Sequence, residues 1–388
     1  MICDKNKCTG CFACYNICPK SAIEMVEDDL GYIYPKIIEE KCINCGLCKK
    51  TCPVLNKVEL IKPLNCYAAR TTDTNILKKS SSGGIATIIS KKFIEESGVV
   101  YGARFIKECS VNHVRVDNID GLEKIQGSKY VHSYIMDTYK KAKNDLNDGK
   151  KVLFIGTPCQ IAGLRKYLLK EYENLYTIDI ICHGVPSQKF LKDEVKRINK
   201  STDIDRVNFR DKKYNSFHFS IIKEDKETSS EEWMKSPYFY TFMKSYTYRD
   251  NCYTCRYASI NRCSDLTIGD FWGLSKESSF YKNRSKGVSV ILPITKKGND
   301  LLHLIKKYIE IEERPIEEAI LGNDQLRDPC KKSVLEEKFK HEYVKKNNFF
   351  KSYKKVFRKN YIKQIMKSNK IISKLLKVKR VIKNVKKK

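Results

Sequence analysis

Eight cysteines near the start of the chain follow one spacing twice. The first run is Cys8-x2-Cys11-x2-Cys14-x3-Cys18-Pro19, and the second is Cys42-x2-Cys45-x2-Cys48-x3-Cys52-Pro53. Nothing else in the sequence restricts the fold so tightly. Three thiols two residues apart wrap one compact metal centre, and the fourth, followed by Pro, reaches across to a second centre. Zinc is ordinarily held by CxxC pairs, two to an ion, and fits two such runs poorly. The spacing therefore points to two [4Fe–4S] clusters. Interleaving assigns Cys8, Cys11, Cys14 and Cys52 to one, and Cys42, Cys45, Cys48 and Cys18 to the other. Gly10 and Gly46 leave room for the cubes. Two clusters this close suit electron tunnelling, with a purely structural role as the alternative. Cys3 stands outside the pattern and receives no role.

The whole chain has 388 residues and 17 cysteines. The motif begins at Cys8, which leaves no room for a charged start and an apolar signal run before it. No stretch approaches the roughly 18 apolar residues of a membrane span. The expectation is a reduced, cytoplasmic protein whose cysteines bind metal rather than pair. The net charge of +29 is uneven: residues 343–388 hold 18 Lys and Arg and no acid. In that stretch Phe349, Phe350, Val356, Phe357, Ile365, Met366, Ile371, Ile372, Leu375, Leu376, Val381 and Ile382 recur at mostly helical intervals between the cations. This reads as a basic amphipathic tail that docks on an anionic membrane surface, at its inner face, with a partner subunit or an idle extension as alternatives. No nucleic-acid partner is expected.

Residues 1–62 read as a small ferredoxin-type domain that metal must hold together, with Lys62-Pro63 at the boundary. Beyond it, Ser80-Ser81-Ser82-Gly83-Gly84 leads into Ile85, Ile88, Ile89 and Phe93, one face of a helix. Val99–Phe105 reads as a strand, Val114 and Val116 as part of another, and Tyr134–Leu146 as a helix. Val152–Ile155, a Gly156-Thr157-Pro158-Cys159 turn, a helix with Ile161, Leu164, Leu168 and Leu169, and the strand Tyr176–Ile181 form a β–α–β unit with parallel strands. Cys159 and Cys182 then both lie past the carboxyl ends of neighbouring strands, where α/β sheets place their sites. The fold class is α+β: a two-cluster ferredoxin domain, an α/β domain and a basic helical tail.

Six ordered blocks between Cys66 and Arg327 carry a resemblance. They are Ser81-Ser82-Gly83-Gly84, Gly127-Ser128-Lys129-Tyr130, Gly156-Thr157-Pro158-Cys159-Gln160, Cys182-His183-Gly184-Val185-Pro186-Ser187, Cys252-x2-Cys255 and Ser264 to Gly273. In these the chain resembles the beta subunit of coenzyme F420 hydrogenase/dehydrogenase, with regions 63–148 and 149–330 matching its N- and C-terminal parts and the tail taking 331–388. The resemblance implies a bound FAD and a third [4Fe–4S] cluster on Cys159, Cys182, Cys252 and Cys255, with Cys263 a rival ligand. It also implies a second redox partner, either the deazaflavin F420 or another organic substrate.

No G-x-G-x-x-G occurs to support FAD. The local physical case is the Ser82-Gly83-Gly84 turn, whose free N–H groups and helix dipole suit a pyrophosphate, with Lys129 adding positive charge. An ordinary Ser cap with a flexible Gly pair is the alternative. His183 is a candidate proton donor or a structural hydrogen-bonder. Asp265 and Asp270 read first as structural, and Trp272 and Tyr238-Phe239-Tyr240 as core or interface. The resulting expectation is an iron–sulfur flavoprotein oxidoreductase. The alternative is an electron-transfer adaptor subunit, partnered with a redox protein and lacking a substrate site.

Overall fold

The computed structural model describes residues 2–214 and 216–362. Its strands are β1 (Ile23–Glu27), β2 (Ile33–Ile37), β3 (Tyr67–Thr71), β4 (Val99–Ile106), β5 (Ser110–Val116), β6 (Val152–Gly156), β7 (Leu175–Ile180), β8 (Arg206–Asp211), β9 (Ser216–Lys223), β10 (Lys226–Glu232), β11 (Leu266–Asp270), β12 (Ser289–Pro293) and β13 (Ile309–Glu313). Eight of them form one sheet in the order β13-β3-β12-β11-β7-β6-β4-β5. Its centre is parallel: β4 with β6, β6 with β7, and β7 with β11. Both margins are antiparallel.

The parallel centre follows from the sequence. Val152, Leu153 and Phe154 are fully buried, as a strand covered on both faces requires. Thr157 then ends the strand and caps the helix Pro158–Leu168 through a reciprocal box with Gln160, with Pro158 at the first helical position. That helix returns the chain to β7, which pairs with β6 from Val152–Leu175 to Gly156–Asp179. The expected β–α–β unit is present. The ends of β6, β7 and β11 therefore leave the sheet along one edge.

The first 60 residues are packed into this body. Hairpin β1–β2 and the short helices Ala13–Ile17 and Leu47–Lys50 carry the doubled cysteine runs. Cys11, Phe12 and Ala13 share a hydrophobic core with Tyr101, Tyr139, Phe154 and Leu164. Gly163 makes the approach possible: a Cβ there would sit 2.9 Å from Cys11 Cβ and 2.9 Å from the Tyr139 hydroxyl. A second, antiparallel sheet, β10-β9-β8, lies beside an aromatic core that includes Phe190, Phe209, Tyr238, Phe239, Phe339 and Tyr343.

The basic C-terminal stretch departs from its expected role in its first part. Helices Val334–Lys346 and Phe349–Val356 are joined by a left-handed Asn347, and they bury Phe349, Tyr353 and Phe357 against Phe190, Phe339 and Tyr240. The apolar face of 349–357 is thus committed to the protein's own core. The rest of the expected amphipathic tail, 363–388, lies outside the described residues. Among the described residues no helix is long and apolar enough to cross a membrane.

Candidate functional site

Three cavities share walls, the first within the N-terminal 54 residues and the other two at the carboxyl edge of the sheet. The first is lined by Cys8, Cys11, Cys14 and Cys52, the interleaved set expected from spacing, together with Cys3, Thr9, Gly10 and Phe12. Burial raises Cys11 to about 12 and Cys14 well above its ordinary value. Cys8 is pulled the other way, first by contact with the Cys3 thiol and then by the Arg249 guanidinium. Cys3, which the spacing leaves aside, therefore belongs to this cavity wall.

Cys18, Cys42, Cys45 and Cys48 lie further out. Cys18 and Cys48 pack on a small cluster with Ile2, Ile23 and Cys52. The charges of Cys42 and Cys45 reach Cys48 and raise its thiol, after burial. The Ala22 N–H donates to Cys18 Sγ at 3.2 Å. Cys45 is exposed, and the neighbouring Ile43 keeps 57% of its surface open.

The second cavity is lined by Cys159, Cys182, Cys252 and Cys255, with Thr9, His132, Thr157, His183 and Tyr257. Cys159 starts the helix after β6, and Cys182 follows β7. Cys252 and Cys255 come from the single turn Asp250–Thr254 and its end. The backbone holds them there: Cys252 N–H donates to Arg249 O, and Arg249 N–H to Val185 O. Cys263 is turned away, its thiol donating to the Pro158 carbonyl at 3.5 Å in the core beneath. Burial, then the other thiolates, raise Cys159 to about 11 and push Cys182 and Cys252 higher still. Burial thus favours the neutral thiol at these positions as the chain stands. Among the described residues no three His, Cys, Asp or Glu side chains converge as on a single metal ion. The four thiols line one cavity.

The third cavity is the large one, ≈ 290 Å³. Its walls include Ser81, Ser82, Gly84, Ile85, Lys129, Tyr130, His113, Gly156, Thr157, His183, Asp270 and Trp272. The helix Ile85–Glu95 opens onto it without a side-chain cap, Gly84 standing at its start with φ +82°. Its first-turn N–H groups and dipole suit an anionic group of a ligand. Ser81 and Ser82 are tied to the frame: Ser81 Oγ accepts from Ser128 N–H, and Ser82 Oγ donates to Val288 O.

Gly83 is not on the wall. Its N–H donates to Ser289 Oγ, and a Cβ there would stand 2.4 Å from Ala69 O, so this glycine serves strand packing. Lys129 is on the wall, but its Nζ already donates to the carbonyls of Ile125, Gln126 and Gly127 at 2.7–3.1 Å. The protein around it lowers its ammonium to about 7, while the three carbonyls favour the charged form.

His183 lines both the second and the third cavity. The protein packed around it lowers its imidazole, against the pull of Asp270 and Asp324. Asp270 pairs with Arg210 at the cavity wall. Asp265 is structural: it accepts from Thr177 N–H, Thr177 Oγ1 and Thr295 Oγ1. Trp272 is 54% exposed on the cavity wall, with the Arg210 guanidinium 5.3 Å from its ring. Of the two roles expected from sequence, core or interface, its exposure leaves the interface, whereas Tyr238 and Phe239 are in the core. Sequence reading also missed Arg249, His132 and Thr9. None carries a signature, because each matters only through what the fold sets beside it.

Comparison with known proteins identifies three regions of the chain. Residues 7–56 match the 4Fe-4S dicluster domain. Residues 66–140 match the N-terminal part, and 149–319 the C-terminal part, of the coenzyme F420 hydrogenase/dehydrogenase beta subunit. The coenzyme F420-dependent sulfite reductase of Methanocaldococcus jannaschii is 25% identical over 366 residues, covering 88% of this chain and 52% of that protein. An uncharacterized protein of the same organism is 27% identical over 203 residues, covering 44% of this chain and 56% of its own length. The chain thus spans about half the length of these curated relatives. A chain in the F420-reducing [NiFe] hydrogenase complex of Methanosarcina barkeri aligns at 21% identity and TM-score 0.47, over 80% of this chain and 94% of that one. The chain belongs to the coenzyme F420 hydrogenase/dehydrogenase beta subunit family and carries a 4Fe–4S dicluster domain ahead of the family's two conserved parts.

Proposed function

We propose that this chain is an iron–sulfur flavoprotein oxidoreductase. It exchanges electrons with a redox protein at the outer cysteines, and with F420 or another organic molecule at the large cavity. One observation carries the reading. The three cavities share walls in series: Thr9 lines the first and second, and Thr157 and His183 line the second and third. Cys8, Cys11, Cys14 and Cys52 fit one cluster, Cys18, Cys42, Cys45 and Cys48 another, and Cys159, Cys182, Cys252 and Cys255 a third. The large cavity, with its uncapped helix start, fits FAD. When bound, the clusters supply single-electron transfer and the flavin supplies the conversion to two-electron or hydride chemistry.

The chain's own residues do the rest. Phe12, Tyr139 and Tyr257 are buried around the inner thiols and keep water from them. The first turn of Ile85–Glu95 binds the anionic part of the cofactor, and Lys129 adds charge beside it. His183 stands where a proton can be held between the thiol cavity and the large one. Trp272, open to solvent, offers a flat apolar surface to an incoming ring.

The test is composition. Anaerobically reconstituted protein is expected to hold about twelve iron atoms and one FAD per chain. Because the three Lys129 donors are taken by carbonyls, Lys129→Ala is expected to weaken FAD retention only modestly, by about 1 kcal/mol or less, through lost charge. Eight iron atoms remove the third cluster from the proposal, and FMN or no flavin removes the FAD.

A further inference from the structure

Arg249 is the most deeply buried cation near the thiols, and the proposed electron path gives it no task. Its residue is 1% exposed. Nε donates to the Cys8 carbonyl at 2.7 Å, and the guanidinium carbon lies 4.0 Å from the centre of the Tyr34 ring. Both terminal nitrogens are buried with no oxygen or nitrogen partner, and the group beside them is the Cys8 thiol. Among the described residues no carboxylate pairs with it, unlike the buried Arg262, which Asp179 neutralises at 2.9 Å. An uncompensated buried guanidinium is costly to fold around and needs a negative counterpart.

Its position supplies one. On one side is the first cavity: the Cβ site of Gly10 lies 3.3 Å from the guanidinium carbon, so even an alanine there would press on it. On the other side is the second: Arg249 N–H donates to Val185 O, its carbonyl accepts from Cys252 N–H, and His132, on that cavity's wall, lies 2.8 Å from the same Gly10 Cβ site. Thr9, next to Gly10, lines both. The guanidinium stands in the partition between two sets of four thiols.

We infer that Arg249 is a positioning residue that supplies a fixed positive charge between two iron–sulfur clusters and makes both easier to reduce. The inference rests on the three-cluster reading above. A bound cluster would accept one electron from an external one-electron carrier, with no bond made or broken, and its net charge would become one unit more negative. A cation that cannot deprotonate stabilises that reduced form in a dry setting, where charge interactions are strong. The two inner clusters thereby become the favoured resting place for an electron that arrives at the exposed Cys45 end. A cluster bound on either side would supply the negative charge that the orphaned guanidinium lacks.

The experiment is an anaerobic redox titration of the reconstituted full chain, followed by electron paramagnetic resonance, on Arg249→Met, Arg249→Gln and Arg249→Lys. In Arg249→Met the reduction equilibrium of the inner clusters is expected to fall about tenfold or more, which is 59 mV per electron. The outer cluster is expected to move less, and Arg249→Lys is expected to restore most of the shift. Unchanged potentials at full iron content overturn the inference. If the two neutral variants lose iron while Arg249→Lys keeps it, the charge itself is required, as inferred. Iron loss in all three assigns Arg249 to packing alone and overturns it. An unsubstituted protein with eight iron atoms defeats the three-cluster reading separately, and the effect of Arg249 is then read on the Cys8 cluster.

Discussion

The two halves of the doubled cysteine run are alike in spacing and opposite in setting. Cys8, Cys11 and Cys52 are buried, and Cys11 is wedged against Gly163 of the helix that also carries Cys159. Cys45 is exposed, Cys42 and Cys48 are half-buried, and a Cβ on Gly46 would meet nothing within 4 Å. The interleaved set Cys8, Cys11, Cys14 and Cys52 is therefore part of the body's core, and the set with Cys42, Cys45 and Cys48 is the solvent-facing one. A symmetric motif has been given a direction by what it is packed against. Among the described residues the one exposed cysteine, Cys45, is in the outer set, and the cavity of the inner set shares Thr9 with the second thiol cavity.

The largest test of that contrast removes one thiol from each half. Cys11→Ala and Cys45→Ala are each expected to lose about four iron atoms. Only Cys11→Ala is expected to lower the melting temperature by several degrees, because its site shares the core with Phe12, Tyr139 and Leu164. Equal melting temperatures by anaerobic calorimetry would break the contrast. A sharper test lies one step inward. Cys159→Ala is expected to lose about four iron atoms and keep both ferredoxin-type clusters, whereas Cys263→Ala keeps all. The reverse result would show that the thiol facing Pro158 turns to reach the metal.

The smallest effect concerns acid. His113 lines the large cavity with its ring 5.4 Å from Phe154, bonded to Ser133 Oγ and Ile155 O. Burial lowers its imidazole to about 4. The unfolded chain takes up a proton near pH 6.5 that the folded chain refuses until about pH 4, so stability present above pH 6.5 is lost as the pH falls through that window. The expected loss from pH 7 to 5.5 is about 1 kcal/mol. Denaturant melts of His113→Gln are expected to show a flatter pH dependence, and an unchanged slope would contradict the assignment.

Much of this layout was legible beforehand, for identifiable reasons. The ferredoxin cysteines are close in sequence, so spacing alone groups Cys8, Cys11 and Cys14 with Cys52. The β–α–β unit was legible because Val152–Phe154 form a buried strand and Thr157-Pro158 announces a helix. Cys159, Cys182, Cys252 and Cys255 were reached through family blocks, since only the sheet edge brings together residues so far apart in the chain. Arg249 and His132 were not legible, because a buried cation or imidazole looks in sequence like any other. Gly83 and Phe349 were misread for one reason: a turn and an amphipathic stretch do not reveal whether their free face meets a ligand, a membrane or the protein's own core.

The central claim is that the second thiol cavity joins the ferredoxin domain to the large cavity. Rapid mixing tests it most directly, by following bleaching of the flavin absorbance when a reduced ferredoxin is added to the FAD-loaded protein and to FAD-loaded Cys159→Ala. The account predicts fast bleaching in the unsubstituted chain and at least a hundredfold slower bleaching in Cys159→Ala, with both ferredoxin-type clusters still reduced in each. Bleaching at the same rate in Cys159→Ala would show that electrons reach the large cavity by another route.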